Sequence, residues 1–455
     1  MARPKTIYAC TECGHSSPKW LGRCPGCGAW STLIEEVQAP AVPGTRSTGR
    51  QAAAPVRLGE VRAEGARRLP TGIDELDRAL GGGVVSGGVV LLGGDPGIGK
   101  STLLMQALAA LAHDGHDTLY VTGEESAAQV GLRARRLGLP GVESVHVLAT
   151  TELEPVERAL DPLRPAVLVV DSIQTLRCAG LDSAPGSISQ LREVTSRLTD
   201  VAKREGVGLF LIGHVTKEGA LAGPKVLEHL VDTVLSFEGD ASHAFRLVRA
   251  TKNRFGPTNE VGVFEMAQEG LREVADPSRL LLSERPHGAP GSVVLPTAEG
   301  SRPLLVEVQS LVAPAAYGAA RRVASGIDAS RLGILLAVLD RKADIHVLDR
   351  DVFASVAGGM RVDERALDLA VAVAVVSSLR DRAPGRQLAV FGEVGLAGEV
   401  RGVPRPVARV AEARKMGLTR IVLPRGNMDS LGFEDRVGLE LVPVSRLDEA
   451  LEAAF

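Results

Sequence analysis

Gly87-Gly-Val-Val-Leu-Leu-Gly-Gly-Asp-Pro-Gly-Ile-Gly-Lys-Ser-Thr102 is the stretch whose reading decides the fold. Its apolar run, Val89 to Leu92, has the length of a buried strand; a glycine-rich turn follows, then helix formers from Ser101 to Ala112. Inside the turn Gly94, Gly99, Lys100 and Ser101 satisfy G-x-x-x-x-G-K-[ST] in full. Glycines let backbone N–H groups converge on phosphate oxygens, and the helix N-terminus adds partial positive charge. Residues Gly94, Asp95, Pro96, Gly97, Ile98, Gly99, Lys100, Ser101 and Thr102 are therefore expected to cradle a nucleotide. Lys100 would reach the β- and γ-phosphates, and the Ser101 hydroxyl would ligate Mg²⁺. The bland alternative is a chance glycine-rich turn between a strand and a helix, which the complete pattern in this context disfavours.

Working outward, strand and helix patterns alternate. A strand over Asp117–Thr122 ends at Gly123-Glu124-Glu125, a helix runs over Ser126–Leu137, and Ala166–Val170 reads as a strand ending in Asp171. A helix over Ser187–Glu205 leads into a strand at Val207–Ile212. Such alternation predicts a mainly parallel sheet flanked by helices. Asp171, at a strand end on the sheet that carries the phosphate loop, is placed to hold Mg²⁺ through water. Glu124 is the preferred residue for orienting and deprotonating the attacking water, with Glu125 its rival. His214 stands where a side chain can sense the γ-phosphate, or is a plain loop histidine. The loop that follows, Val215 to Val226, carries Lys217 and Lys225 among glycine, alanine and proline; a second, Thr175 to Ser189, carries Arg177. The basic, glycine-containing first loop suits phosphate-backbone contact. Lys252-Asn-Arg-Phe-Gly256 places two cations two residues apart after a strand. They can point across a subunit boundary, Arg254 as an arginine finger, or simply lie solvated.

At the N-terminus four of the five cysteines form Cys10-x₂-Cys13 and Cys24-x₂-Cys27. Two such knuckles can set four thiolates around one Zn²⁺, whose binding would supply the folding energy of so small a segment. A disulfide pair or a redox motif is the alternative; the absence of a secretory pattern counts against the first and the duplication of the knuckle against the second. The domains expected are a zinc finger at 1–34, a flexible linker at 35–57, an ATPase core at 58–274 and an α+β domain at 275–455. Net charge is −3 and aromatics make up 3%. Any nucleic-acid partner must therefore be held by local basic loops rather than by global field. No apolar stretch reaches the ~18 residues a bilayer span needs, so the chain reads as cytoplasmic with no membrane partner.

Taken together, the four-cysteine finger, Gly-Asp-Pro-Gly-Ile-Gly-Lys-Ser, Gly-Glu-Glu-Ser and the Lys252–Gly256 pentapeptide resemble the RadA/Sms family of bacterial recombination and repair ATPases over nearly the whole chain. The resemblance implies an α/β RecA-like P-loop core with a C4 zinc ribbon before it and a Lon-protease-like domain after it. It further implies a homo-hexameric ring, DNA-stimulated ATP hydrolysis and branch migration on single-stranded or branched DNA, with a RecA-type recombinase as partner. On that reading ATP, Mg²⁺ and Zn²⁺ are the cofactors, Lys252 and Arg254 act in trans, and Arg177, Lys217 and Lys225 line a DNA channel. Laying the Lon-type active-site pattern on Glu364-Arg-Ala-Leu-Asp368 puts Ala366 at the nucleophile position and Val407 near that of the general-base lysine. With neither reactive group present, no covalent protease is expected. The competing readings are an ATP-dependent peptide-handling machine and a slowly hydrolysing scaffold of the same fold.

Overall fold

The computed structural model describes residues 5–10, 16–26, 28–38, 68–181, 183–214, 226–239, 245–258, 260–286, 288–300, 302–315 and 320–455. The chain divides into two compact units, Met1–Glu238 with Arg246–Glu273, and Gly239–Phe245 with Val274–Phe455.

In the first unit a nine-stranded sheet carries the site. From one edge to the other its strands are Gly270–Glu273, Val261–Ala267, Phe245–Asn253, Thr233–Glu238, Val89–Gly94, Gly208–His214, Val167–Asp171, Thr118–Thr122 and His146–Ala149. Every pairing from Thr233–Glu238 to His146–Ala149 is parallel, whereas Phe245–Asn253 lies antiparallel to Thr233–Glu238. The continuous apolar runs follow from burial on both faces. Val90 and Leu92 face a cluster containing Leu104 and Leu108 of the helix Lys100–His113, while Val89 and Leu91 face another containing Leu191 and Leu198 of the helix Ile188–Glu205. Side chains one residue apart on the central strand thus anchor opposite helical layers.

Local chemistry places the helix ends. Ser126 and Gln129 form a capping box before the helix Ala127–Leu137: the Gln129 N–H donates to Ser126 Oγ at 3.3 Å and the Ser126 N–H to Gln129 Oε1 at 2.8 Å. Ser187 caps Ile188–Glu205, which stops at Gly206 in the left-handed region.

The N-terminal segment forms a three-stranded sheet in which Leu33–Gln38 pairs with Lys5–Cys10 from Cys10↔Leu33 to Lys5↔Gln38. That pairing carries ordered backbone past the boundary expected at residue 34, because residues 35 to 38 complete the ladder; the rest of the expected linker, 39–57, lies outside the described residues.

The second unit is built on a seven-stranded mixed sheet, ordered Arg322–Ser325, Arg350–Val356, Arg302–Pro314, Ser292–Glu299, Leu388–Val390, Arg420–Pro424 and Glu440–Val444. Its helix Leu367–Leu379 is apolar nearly all round and packs on the strands Ser292–Glu299 and Arg302–Pro314. Among the described residues no helix is long and apolar enough to cross a membrane.

Candidate functional site

The parallel strands end together on one side of the core sheet, and there the sequence pattern becomes a cleft. Gly94 closes its strand so tightly that a Cβ would stand 2.7 Å from the Phe237 carbonyl oxygen. Ile98 drops from the loop into the core, and Gly99, at φ 119°, turns the chain into the helix Lys100–His113. Lys100 is only 4% exposed, and its Nζ donates to the carbonyls of Gly94 at 2.7 Å and Asp95 at 2.8 Å. Burial lowers its pKa, opposed by the charges of Asp171, Asp95 and Glu124. Pro96, Gly97, Ser101 and Thr102 line one side of a cleft of about 300 Å³; Glu124, Glu125, Arg133 and Asp171 line the other.

Glu124 and Glu125 diverge. Glu125 pairs with Arg133, Nη1 to Oε2 at 2.6 Å, and its own N–H donates to Thr122 Oγ1 at 3.0 Å. Glu124 accepts from Ser172 Oγ at 2.6 Å, beside Asp171. The chain reaches this arrangement through Gly123, where any Cβ would collide with Thr175 Oγ1 at 2.0 Å. Asp171, 8% exposed, lies in register with Thr122 on the neighbouring strand and accepts a hydrogen bond from the Tyr120 hydroxyl. Burial pushes the Tyr120 phenol pKa up, and Asp171 pushes it further, so the hydroxyl keeps its proton. Tyr120, Arg133 and Ser172 escaped the sequence reading. Tyr120 alone gave a signal, as a polar-tipped residue inside an apolar strand, which must find a partner when buried but does not say which.

Lys252 and Arg254 are not at this cleft. The strand Phe245–Asn253 runs through Lys252, so the expectation that the pair follows a strand holds for Arg254 alone: pairing continues to Thr233↔Asn253. Asn253 is thereby level with Val90, four residues before Gly94, about 13 Å along the strand at ~3.3 Å per residue. Both cations sit at the end of the sheet opposite this chain's own phosphate loop. Lys252 Nζ donates to the Glu228 carbonyl and, at 2.8 Å, to that of Val231. Burial and neighbouring Arg254 lower its pKa, against Asp232 and Glu228. Arg254 Nη1 lies 3.3 Å from Asp232 Oδ1, while the other Asp232 oxygen accepts from the Val89 N–H at 3.2 Å.

Arg177 follows the Asp171 strand and pairs with Glu152 at 3.0 Å, both half-exposed, a contact of little energetic weight. The backbone of His214 ends the strand Gly208–His214. Lys217 and Lys225 lie outside the described residues. So do Cys13 and Cys27; Cys10 and Cys24 are buried together with Leu33, and the Gly26 N–H donates to Cys24 Sγ at 3.3 Å, as a backbone amide does to a metal-bound thiolate. The donor set fits Zn²⁺. On the ribbon surface Arg23 stacks over Trp30 at 5.9 Å.

In the second unit Ala366 is buried just before the helix Leu367–Leu379, and Val407 lies on the helix Pro406–Lys415. Charge there is closed on itself. Arg409, 1% exposed, donates to both oxygens of Glu364 and to the carbonyls of Pro296 at 2.7 Å and Pro404 at 3.0 Å. Burial raises the Glu364 pKa, but hydrogen bonds and charge from Arg409 outweigh it and hold the carboxyl below its ordinary value. Arg331 grips buried Asp368 with both arms of its fork and also donates to the Val394 carbonyl at 2.7 Å.

Three stretches of the chain match known families. Residues 8–35 match a family described as a rubredoxin metal-binding domain, 54–220 an AAA domain and 341–427 subunit ChlI of Mg-chelatase. Proteins named DNA repair protein RadA are similar from end to end: that of Pseudomonas aeruginosa is 51% identical over 457 residues and that of Bacillus subtilis 46% over 459, each alignment covering the whole of both chains. The protein of that name from Streptococcus pyogenes serotype M1 is 46% identical over 456 residues, again across both full lengths.

Proposed function

This chain belongs to the RadA family of DNA repair proteins and carries an AAA-type ATPase core between a zinc ribbon and a Lon-like domain, and we propose that it is a DNA-dependent ATPase motor promoting branch migration of recombination intermediates as a homo-hexameric ring. The observation that carries the proposal is the placement of Lys252 and Arg254 at the sheet end opposite the phosphate loop. Cations held there serve a neighbour's nucleotide far more readily than their own.

The residues of the cleft divide the work. Backbone amides of residues 94–102 and the N-terminus of Lys100–His113 bind the phosphates. Lys100, parked on the Gly94 and Asp95 carbonyls, exchanges those acceptors for the terminal phosphates. Ser101 and Asp171 would hold Mg²⁺, directly and through water, and that ion would neutralise charge on the phosphates. Glu124 orients the water and takes its proton, while Glu125 remains engaged by Arg133. His214 reports the state of the γ-phosphate to the loop behind it. A neighbour's Arg254, drawn off Asp232, stabilises the charge that develops in the transition state, with Lys252 beside it. Cys10, Cys13, Cys24 and Cys27 would hold Zn²⁺ as a structural metal. Arg177, Lys217 and Lys225 contact single-stranded or branched DNA through its phosphates, and a RecA-type recombinase is the natural partner.

The test is steady-state ATP hydrolysis with and without forked DNA over a range of salt. Wild type is expected to be stimulated strongly, while Arg254→Ala binds nucleotide but loses about 10³-fold in turnover, the scale of an arginine finger. Mixing Arg254→Ala with Lys100→Ala chains restores part of the activity, because one kind of interface then has both halves intact. Wild-type turnover indifferent to DNA, or mixtures no better than their components, would overturn the motor reading.

A further inference from the structure

Behind Asp171 a chain of side chains runs through Tyr120 and Arg133 to Glu125. Tyr120 is fully buried, and its hydroxyl meets Asp171 Oδ2 and Arg133 Nη2, the latter at 2.9 Å, with the Ser101 side chain also hydrogen-bonded to it. A phenol has one hydrogen, and a guanidinium only donates. Arg133 therefore fills an acceptor position on the Tyr120 oxygen, and the phenolic hydrogen is committed to Asp171. Arg133 itself has little freedom: its other terminal nitrogen is on Glu125 at 2.6 Å, and its guanidinium lies 5.9 Å from the centre of the Tyr120 ring.

The hydrogen bonds cross in both directions. The strand leading to Glu124 lends Tyr120 to Asp171, and the segment leaving Asp171 lends Ser172 to Glu124 at 2.6 Å. We propose that Tyr120 is a positioning residue for the metal side of the cleft, aimed by Arg133 and anchored through it to Glu125. It engages one oxygen of Asp171 so that the other faces the cation. This rests on the reading of Asp171 as the Mg²⁺ carboxylate, and it gives Glu125 a task other than activating water. A buried tyrosine that merely filled space would end on any available backbone carbonyl; this one ends on the single carboxylate at the end of its neighbouring strand.

Tyr120→Phe removes only the hydroxyl and keeps the packed ring. The measurement is Mn²⁺ binding to the full-length protein saturated with ADP, read by electron paramagnetic resonance, alongside the Mg²⁺ dependence of ATP hydrolysis. Tyr120→Phe is expected to weaken Mn²⁺ about tenfold or more, the scale of one hydrogen bond to a charged group, and to raise the half-activating Mg²⁺ by a similar factor. ADP binding in EDTA stays unchanged. Arg133→Lys and Glu125→Gln should shift the metal in the same direction by less, whereas Glu124→Gln loses turnover with metal affinity intact. Asp171→Asn separates the two ideas. If it weakens Mn²⁺ while Tyr120→Phe does not, the positioning role is wrong and the metal assignment stands. If Asp171→Asn binds Mn²⁺ like wild type, the assignment beneath the proposal is wrong. Equal loss of ADP affinity in EDTA by Tyr120→Phe would mean a general structural role and would also overturn it.

Discussion

Both units hold charged side chains where a reaction could take place, and they hold them differently. In the nucleotide cleft Lys100 rests on two loop carbonyls that a phosphate can replace, and Asp171 and Glu124 each take a hydroxyl while lining open space. In the Lon-like unit Glu364 and Arg409 grip each other through both oxygens, as do Asp368 and Arg331; the carboxylates also accept the Ala298 and Val394 N–H groups, and the guanidiniums spend further donors on backbone carbonyls. A group retained for chemistry keeps exchangeable partners; one retained for structure is closed off. Burial does not separate the two, since Lys100 is nearly as buried as Arg409. The identity of the partners does.

Lys100→Ala should show the widest separation between activity and stability. Turnover is expected to fall about 10³-fold or more, with loss of terminal-phosphate binding and little change in thermal midpoint, measured by ATP hydrolysis and calorimetry. Retained hydrolysis would place the chemistry elsewhere.

Glu364→Gln should do the reverse. Leaving Arg409 buried against a neutral amide is expected to cost about 3–5 kcal/mol, seen in urea unfolding of the full chain. Because the folded-state carboxyl is held below its ordinary 4.5, its contribution is present above that value and lost as pH falls through the folded pKa. The stability gap between wild type and Glu364→Gln should therefore close on acidification. A gap that does not narrow as pH falls, down to acid unfolding, would mean that packing, not charge, holds the pair.

The smallest effect is expected from Ala366→Ser combined with Val407→Lys, which restores the two side-chain types of a Ser–Lys protease. Burying a hydroxyl at 366 should cost about 1–3 kcal/mol, and fluorogenic peptides should remain uncut, because Glu364 and Arg409 already close the surroundings. Peptide cleavage would break the contrast between the units.

How much of this could be read beforehand depended on sequence distance. The phosphate loop is contiguous, so Gly94 to Thr102 could be read directly, and Asp171 followed from its place at the end of an apolar strand. That residue 366 is an alanine, with no nucleophilic atom, was also visible, being a matter of identity alone. That Glu125 is taken up by Arg133 while Glu124 meets Ser172 was not, because the partners lie eight and 48 residues away. The Tyr120–Asp171 bond spans 51 positions and Glu364–Arg409 spans 45; no local periodicity encodes such meetings. Nor did the pentapeptide disclose its end of the sheet, which only the pairing of Asn253 with Thr233 and of Thr233 with Val90 reveals.

That last placement has an arithmetic consequence. If each chain offers a phosphate loop at one end of its sheet and a cation pair at the other, copies associate head to tail, through two different surfaces. A solitary chain then contains no complete site, and an open row of n chains contains n − 1. Only closure makes the number of sites equal the number of chains. Hydrolysis per chain should accordingly climb with protein concentration and level off when rings form, so that dilution alone silences the protein without any inhibitor.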